Sequence, residues 1–307
     1  MRIVFMGTPD FAVGALEAII AAGHDVAACV TQPDKPKGRG KEIQCPPVKE
    51  CAIKHHIPVF QPERVKEPEA VEQLRSYDAD MFVVAAFGQI LSGEILHMPR
   101  FGCVNIHASL LPKYRGAAPI NWAIINGEEK TGVTIMQMNE GVDTGDMLMA
   151  REVVIEPKET AATLFDKLAQ CGAELIVSAI PLLEQGLLKP VPQEEALASK
   201  ARMLRKELGH MNFAMSAVQI ERLIRGLNPW PGAYTHYQGK TLKVWDADVE
   251  SGSGNPGSVA FVERDRIGVY TAEGILVLRE IQLEGKKRMP VKDFLLGNPV
   301  TAGEMFG

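Results

Sequence analysis

The apolar positions of this chain change period along its length, and the change marks two kinds of structure. Residues 2 to 7, Arg-Ile-Val-Phe-Met-Gly, form an unbroken run that predicts a buried strand; Phe11, Ala15, Leu16, Ile19 and Ile20 then recur at helical spacing up to Gly23. Runs at Val26 to Thr31, Pro58 to Phe60, Met81 to Phe87 and Gly102 to His107 predict further strands, with helical stretches near 47–56, 69–76, 91–97 and 118–126. This alternation predicts a mostly parallel, wound α/β sheet of Rossmann-like type, covered on both faces. Thr131 to Met138 and Met147 to Ile155 have only Asn-Glu-Gly-Val-Asp-Thr-Gly-Asp between them, so they are expected as an antiparallel pair at one end of the sheet. A helix from about Thr160 to Glu184 closes this part.

From Gly186 to Glu207 the periodicity fades, Pro190 and Pro192 appear, and Lys200, Arg202, Arg205 and Lys206 follow, as in a connecting segment. The expected organisation is a catalytic domain over 1–189, a linker over 190–207 and a second domain over 208–307. In the last of these, Ala217 to Arg225 predicts a helix, with Ser216 placed to cap it and Gly226 to end it. Ala233 to Gln238, Thr241 to Asp248, Ser258 to Val262, Arg266 to Thr271 and Leu276 to Gln282 are short, β-rich and separated by Gly or Asn turns, the spacing of a small OB-like β-barrel.

A length of 307 residues exceeds one comfortable core, which agrees with two domains, and 46% hydrophobic content excludes a disordered chain. No run reaches the roughly 18 to 20 apolar residues of a membrane-spanning helix, and no secretory signal opens the chain, so a cytoplasmic location is expected. The five cysteines are odd in number and widely spaced, the pattern of free thiols. Cys45 and Cys51 lie near His55 and His56, but Pro46 and Pro47 intervene and no second cluster completes a four-ligand set, so no metal is expected. Formal net charge is −5, which excludes a protein that coats nucleic acid through bulk positive charge. The acidic excess belongs to residues 1–189, with 18 Lys plus Arg against 24 Asp plus Glu; residues 190–307 hold 15 against 14.

A wound sheet invites a dinucleotide reading, but Gly7-Thr8-Pro9-Asp10-Phe11 lacks the second and third glycines that let a backbone approach a pyrophosphate. The chemistry concentrates instead in Val104-Asn105-Ile106-His107-Ala108-Ser109-Leu110-Leu111-Pro112. In a strand, Asn105 and His107 share one face, at the carboxyl end where open α/β sheets bind ligands. A carboxamide can donate to an oxygen on which charge develops, and an imidazole can move a proton near neutrality, a pairing suited to acyl transfer. Asp143, in the turn Gly141-Val142-Asp143-Thr144-Gly145-Asp146, reaches His107 if the antiparallel pair lies beside strand five. The alternative is that Asp143 and Asp146 only make turn hydrogen bonds.

At these residues the sequence resembles the 10-formyltetrahydrofolate-dependent formyltransferases, through Asn105-x-His107, Ser109-Leu110-Leu111-Pro112 and the Gly-x-Asp143-x-Gly turn. The resemblance extends to Gly7 through Phe11, Thr31 through Lys41, Pro47-Val48-Lys49, Gly132 through Met138 and Asn228-Pro229-Trp230-Pro231. It is most specific in the 31-to-41 insert and the Asn-Pro-Trp-Pro turn, which are similar to the branch that acts on methionine carried by initiator tRNA. The resemblance implies Asn105, His107 and Asp143 as a catalytic trio. It further implies 10-formyltetrahydrofolate as co-substrate, Ser109, Leu110, Leu111 and Pro112 as a folate-contacting turn, and Gln89, Ile90 and Leu91 along the pterin slot. It also implies initiator Met-tRNA as the partner of the second domain, on an enzyme for which nothing demands more than a monomer. Leu197-Ala198-Ser199-Lys200 and Met211-Asn212-Phe213 depart from the family pattern.

The insert has its own physical reading. Lys35, Lys37, Arg39 and Lys41 oppose only Asp34 between 34 and 41, while Pro33, Pro36, Gly38 and Gly40 deny the segment a helix, so a mobile basic loop able to follow phosphates is expected. With Lys206 these residues are the candidate tRNA contacts. Two rivals stand beside this reading: formyl transfer to a sugar-nucleotide amine, which needs no extended phosphate track, and a non-catalytic RNA-binding protein built on the barrel.

Overall fold

A computed structural model describes residues 1–37 and 42–307, which group into two units. The first takes in Met1–Gly116, Lys130–Val154 and Phe165–Ala201; the second takes in Ala117–Glu129, Ile155–Leu164 and Arg202–Gly307. In chain order the first contains β1 (Arg2–Gly7), α1 (Asp10–Ala21), β2 (Asp25–Val30), β3 (Lys35–Lys37), β4 (Glu42–Gln44), α2 (Pro47–Lys54), β5 (Val59–Phe60), α3 (Pro68–Ser76), β6 (Met81–Ala85), α4 (Gly93–Leu96), β7 (Cys103–His107) and β8 (Arg115–Gly116). Helix α5 (Pro119–Ile125) belongs to the second unit. Then follow β9 (Lys130–Gln137), β10 (Met147–Val154), α6 (Ala161–Glu184), whose first turn groups with the second unit, and β11 (Lys200–Ala201).

Seven strands of the first unit form one sheet in the order β10-β9-β7-β6-β1-β2-β5. The five strands from β7 to β5 run parallel, while β9 and β10 run antiparallel at the end, as the short turn between them requires. On one face Val4, Met6, Phe82, Val84 and Cys103 pack against Val71 and Leu74 of α3 and Ile95 and Leu96 of α4. On the other, α6 comes so close that a Cβ on Gly172 would stand 2.8 Å from Ile106 Cγ2. Cys103, Asn105 and His107 alternate along β7 onto the α3–α4 face, so the site grows out of that core at its carboxyl edge.

The basic insert differs from the loop expected. Its described ends are paired strands, Lys35 with Gln44 and Pro36 with Ile43, a hairpin whose single prolyl nitrogen costs little on a two-stranded ribbon. The base is pinned by Asp34, which accepts from Gln61 Nε2 at 2.8 Å and Lys49 Nζ at 2.7 Å. Those bonds, to Gln61 first and then Lys49, hold the Asp34 carboxyl below the usual range. Arg39 and Lys41 lie outside the described residues.

The second unit holds α5, α7 (Ala217–Gly226), β12 (Ala233–Tyr237), β13 (Lys240–Glu250), β14 (Val259–Glu263), β15 (Arg266–Tyr270), β16 (Ile275–Leu283), β17 (Met289–Pro290) and α8 (Val291–Leu295). Its antiparallel sheet runs β12-β13-β16-β15-β14, with β17 on β16. The two ends of that order are bridged by the last residues of the chain rather than by strand pairing among the described residues. Val259 N–H donates to Glu304 O at 2.8 Å and Gly307 N–H to His236 O at 3.0 Å. Ser216 and Gln219 form a capping box on α7, whose Ile220 and Ile224 enter the core with Val244, Leu276 and Leu278.

Candidate active site

Three loops meet at the carboxyl edge of the parallel strands. After β1, the Thr8 hydroxyl donates to Phe87 O at 3.1 Å and accepts from Gln32 N–H at 3.2 Å, while Gln32 Nε2 donates to the same Phe87 carbonyl. The loops after β1, β2 and β6 are thus tied together, and β7 ends beside β6 with Asn105 paired to Val84.

On β7, His107 is 5% exposed and Asn105 is 9% exposed. The His107 Nε2 lies 3.0 Å from Tyr114 O; a carbonyl only accepts, so Nε2 carries a hydrogen. Nδ1 faces Asp143 Oδ2 at 3.7 Å, longer than a direct hydrogen bond. Asp143 therefore lies beside His107, as its place in the antiparallel pair led one to expect, and it also makes a loop contact, accepting from Gly116 N–H at 2.8 Å. The side chain of Asn105 has no hydrogen-bond partner among the described residues. An unpartnered carboxamide on a largely buried residue keeps its N–H donors available to an oxygen that enters the site.

The turn that carries Asp143 is under tight steric control. Asp143 sits in the left-handed region at φ 53°, and a Cβ on Gly145 would stand 1.7 Å from Gln137 O. Below the site, burial pushes the Cys103 thiol up to about 12, so it is a neutral, inert base to the strand.

The expected folate residues occupy neighbouring strand ends but differ in character. Ser109 is fully buried and its hydroxyl donates to Lys113 O at 2.6 Å. Leu111 N–H donates to Thr134 Oγ1 and the Leu111–Pro112 bond is cis; Leu110 and Pro112 are half-buried. Gln89 commits its carboxamide to the chain at 62–65, accepting from Val65 N–H at 2.7 Å and donating to Pro62 O at 3.1 Å. Leu91 is in the core, whereas Ile90 is 75% exposed. A cavity of about 470 Å³ lined by Phe60, Pro62, Arg64, Glu67 and Gln73 contains none of the three candidate catalytic residues.

Of the candidate tRNA contacts, Lys35 is exposed on β3 and Lys37 ends that strand in the first unit; Lys206 is exposed in the second unit. Among the described residues, one group of potential metal ligands has its ligand atoms within 4.8 Å of one another: Glu17 on α1, with Cys51 and His55 in and just after α2. It includes no residue of the candidate site.

The sequence reading missed the polar residues that brace the Asp143 turn and the chain at 114–115. Arg115 is 9% exposed; its Nε donates to Gln193 Oε1 at 2.9 Å and its Nη1 to Glu195 Oε2 at 2.8 Å. Gln193 Nε2 donates to Asp143 O at 2.9 Å and Gly145 O at 2.7 Å. Ser199 Oγ accepts from Tyr114 N–H at 2.9 Å. The available signal was the polar run Lys113-Tyr114-Arg115 directly after the Ser109-to-Pro112 turn; Gln193 and Ser199 lay in a proline-bearing stretch that reads as a connector.

Comparison with known proteins gives a consistent picture. Residues 1–180 match the family described as formyl transferase, and residues 203–299 match the formyl transferase C-terminal domain. A methionyl-tRNA formyltransferase of Agathobacter rectalis is 56% identical over 100% of this chain and 99% of its own length. Those of Lachnospira eligens and Clostridioides difficile are 54% and 48% identical over 100% of both chains. Among solved structures, the sugar 3N-formyl transferase WlaRD, in the presence of dTDP and 5-N-formyl-THF, superposes with a TM-score of 0.67 at 19% identity, over 94% of this chain and 99% of that one. HypX from Aquifex aeolicus in complex with tetrahydrofolic acid gives 0.64 at 18%, over 100% of this chain and 50% of that one, so this chain spans half of HypX. At such identities the likeness is one of fold.

Proposed function

Because this chain belongs to the methionyl-tRNA formyltransferase family, we propose that Asn105, His107 and Asp143 carry its reaction. That reaction transfers the formyl group of 10-formyltetrahydrofolate to the α-amine of methionine on initiator tRNA. The amine nitrogen attacks the formyl carbon and a tetrahedral oxyanion forms; the bond to the folate nitrogen then breaks, and that nitrogen takes up the proton the amine gives up. Asn105, whose amide has no partner among the described residues, donates to the oxyanion. His107 adds a second donor when its Nε2–H leaves the Tyr114 carbonyl, and Asp143 steadies the ring through Nδ1.

The observation that carries this reading is the meeting of His107 and Asp143 at 3.7 Å beside an Asn105 amide that has no hydrogen-bond partner among the described residues. In the same reading Ser109, Leu110, Leu111 and Pro112, with the backbone of Gln89 and the exposed side chain of Ile90, hold the folate, and Leu91 supports that slot from the core. Lys35, Lys37, Arg39, Lys41 and Lys206 meet tRNA phosphates. Residues 1–189 act as the catalytic part, 190–207 as connector and 208–307 as the tRNA-binding part of a cytoplasmic monomer.

Formyl transfer measured with 10-formyltetrahydrofolate and charged initiator tRNA tests this. Asn105→Ala and Asp143→Asn are expected to lower kcat by about 100-fold or more while folate binding persists, since loss of an oxyanion donor costs about that much. Wild-type turnover in both variants overturns the assignment.

A further inference from the structure

We propose that Gln193 is a positioning residue for formyl transfer, acting through Asp143; the proposal rests on the catalytic reading of Asp143 above. Both N–H donors of its carboxamide and its oxygen are engaged. Nε2 donates to Asp143 O and Gly145 O, and Oε1 accepts from Arg115 Nε. A group that donates twice and accepts once from one plane is a property of a carboxamide alone among side chains.

What it holds is the backbone of the turn, and that backbone needs holding. Asp143 is a non-glycine residue at positive φ, a conformation that L residues adopt only where the surroundings hold it. Gly116 N–H grips the Asp143 carboxylate at 2.8 Å, and Gln193 grips its carbonyl at 2.9 Å. Both grips come from one small assembly, because Arg115, the residue before Gly116, is the partner of Gln193 Oε1. Fixed at carboxylate and carbonyl together, Asp143 presents Oδ2 to His107 in one direction.

The segment carrying Gln193 is itself anchored on either side. Val191 and Met147 exchange two backbone hydrogen bonds of 2.9 Å, Ser199 N–H donates to Pro112 O, and β11 pairs with β8. Residues 191–201, in the stretch the sequence presents as a connector, thus form a strap across the turn and the folate loop. The strap orients the carboxylate without touching the reacting atoms.

The test uses the full chain in the formylation assay with Gln193→Ala and the near-isosteric Gln193→Glu, which keeps the acceptor for Arg115 and removes both donors. Each is expected to lower kcat about 10- to 100-fold with the KM for the formyl donor little changed, the cost of a misplaced reacting group. Added to Asp143→Asn, Gln193→Glu is expected to cause no further loss, because both act through one carboxylate. Gln193→Glu with kcat near wild type, or a loss that adds in full to that of Asp143→Asn, overturns the positioning role. A wild-type-like Asp143→Asn overturns the catalytic reading and this proposal with it, whereas an impaired Asp143→Asn beside an intact Gln193→Glu overturns this proposal alone.

Discussion

Asp143 Oδ2 stands 3.7 Å from His107 Nδ1, although His107 ends β7 and Asp143 lies in the turn between β9 and β10, where it holds a left-handed backbone. With Nε2 turned to the Tyr114 carbonyl, both ring nitrogens of His107 face protein oxygens. On the proposed reading, His107 and Asp143 are expected to act as a pair rather than as separate groups.

Coupling of this kind is read from non-additivity. His107→Ala is expected to lower kcat by about 100-fold or more, and His107→Ala/Asp143→Asn by about the same amount, as for residues that act together. Single-turnover formylation of charged initiator tRNA measures both; losses that multiply would dissolve the pair.

The basic insert predicts a salt effect. Arg39→Ala is expected to raise the KM for charged tRNA, leave folate binding unchanged and reduce the slope of log affinity against log salt by about 1, the signature of one lost phosphate contact. Binding measured across a salt series gives the slope, and an unchanged slope removes Arg39 from the tRNA path.

Gly145 and Ser216 separate site strain from ordinary stability. Gly145→Ala places a Cβ 1.7 Å from Gln137 O, so the Asp143 turn must shift and turnover is expected to fall at least about tenfold. Ser216→Ala removes the cap that accepts from Gln219 N–H on α7, with an expected cost of about 1 kcal/mol in stability and no direct effect on chemistry. Urea denaturation alongside turnover assigns each; a wild-type kcat in Gly145→Ala contradicts the steric account.

In the second unit, hydrogen bonds from Lys158 and then Arg279 hold the Asp248 carboxyl below its usual range. A carboxyl whose folded value is depressed adds stability above the unfolded carboxylate value of about 3.9 and loses it as pH falls through the folded value. The side chain is 36% exposed, so the contribution is expected to be below about 1 kcal/mol. Asp248→Asn should flatten that part of the acid limb in a stability–pH profile, while a limb identical to wild type would show that the pair contributes nothing.

The sequence by itself determined the elements and part of the site. Periodicity is local, so the wound sheet, the antiparallel β9–β10 pair, the Ser216 cap and the five β segments of the second unit could all be read from it. The period of two put Asn105 and His107 on one face, and the brief turn before β10 put Asp143 within reach. What only tertiary structure decided was how Asp143 is held. Arg115 and Gln193 lie 78 residues apart, and Gln193 lies 50 residues from Asp143. Their meeting depends on a strap whose proline-bearing sequence has no period of its own. Hydrogen bonds between distant loops leave no trace in local spacing, because their geometry is set by the packed strands and helices that carry those loops.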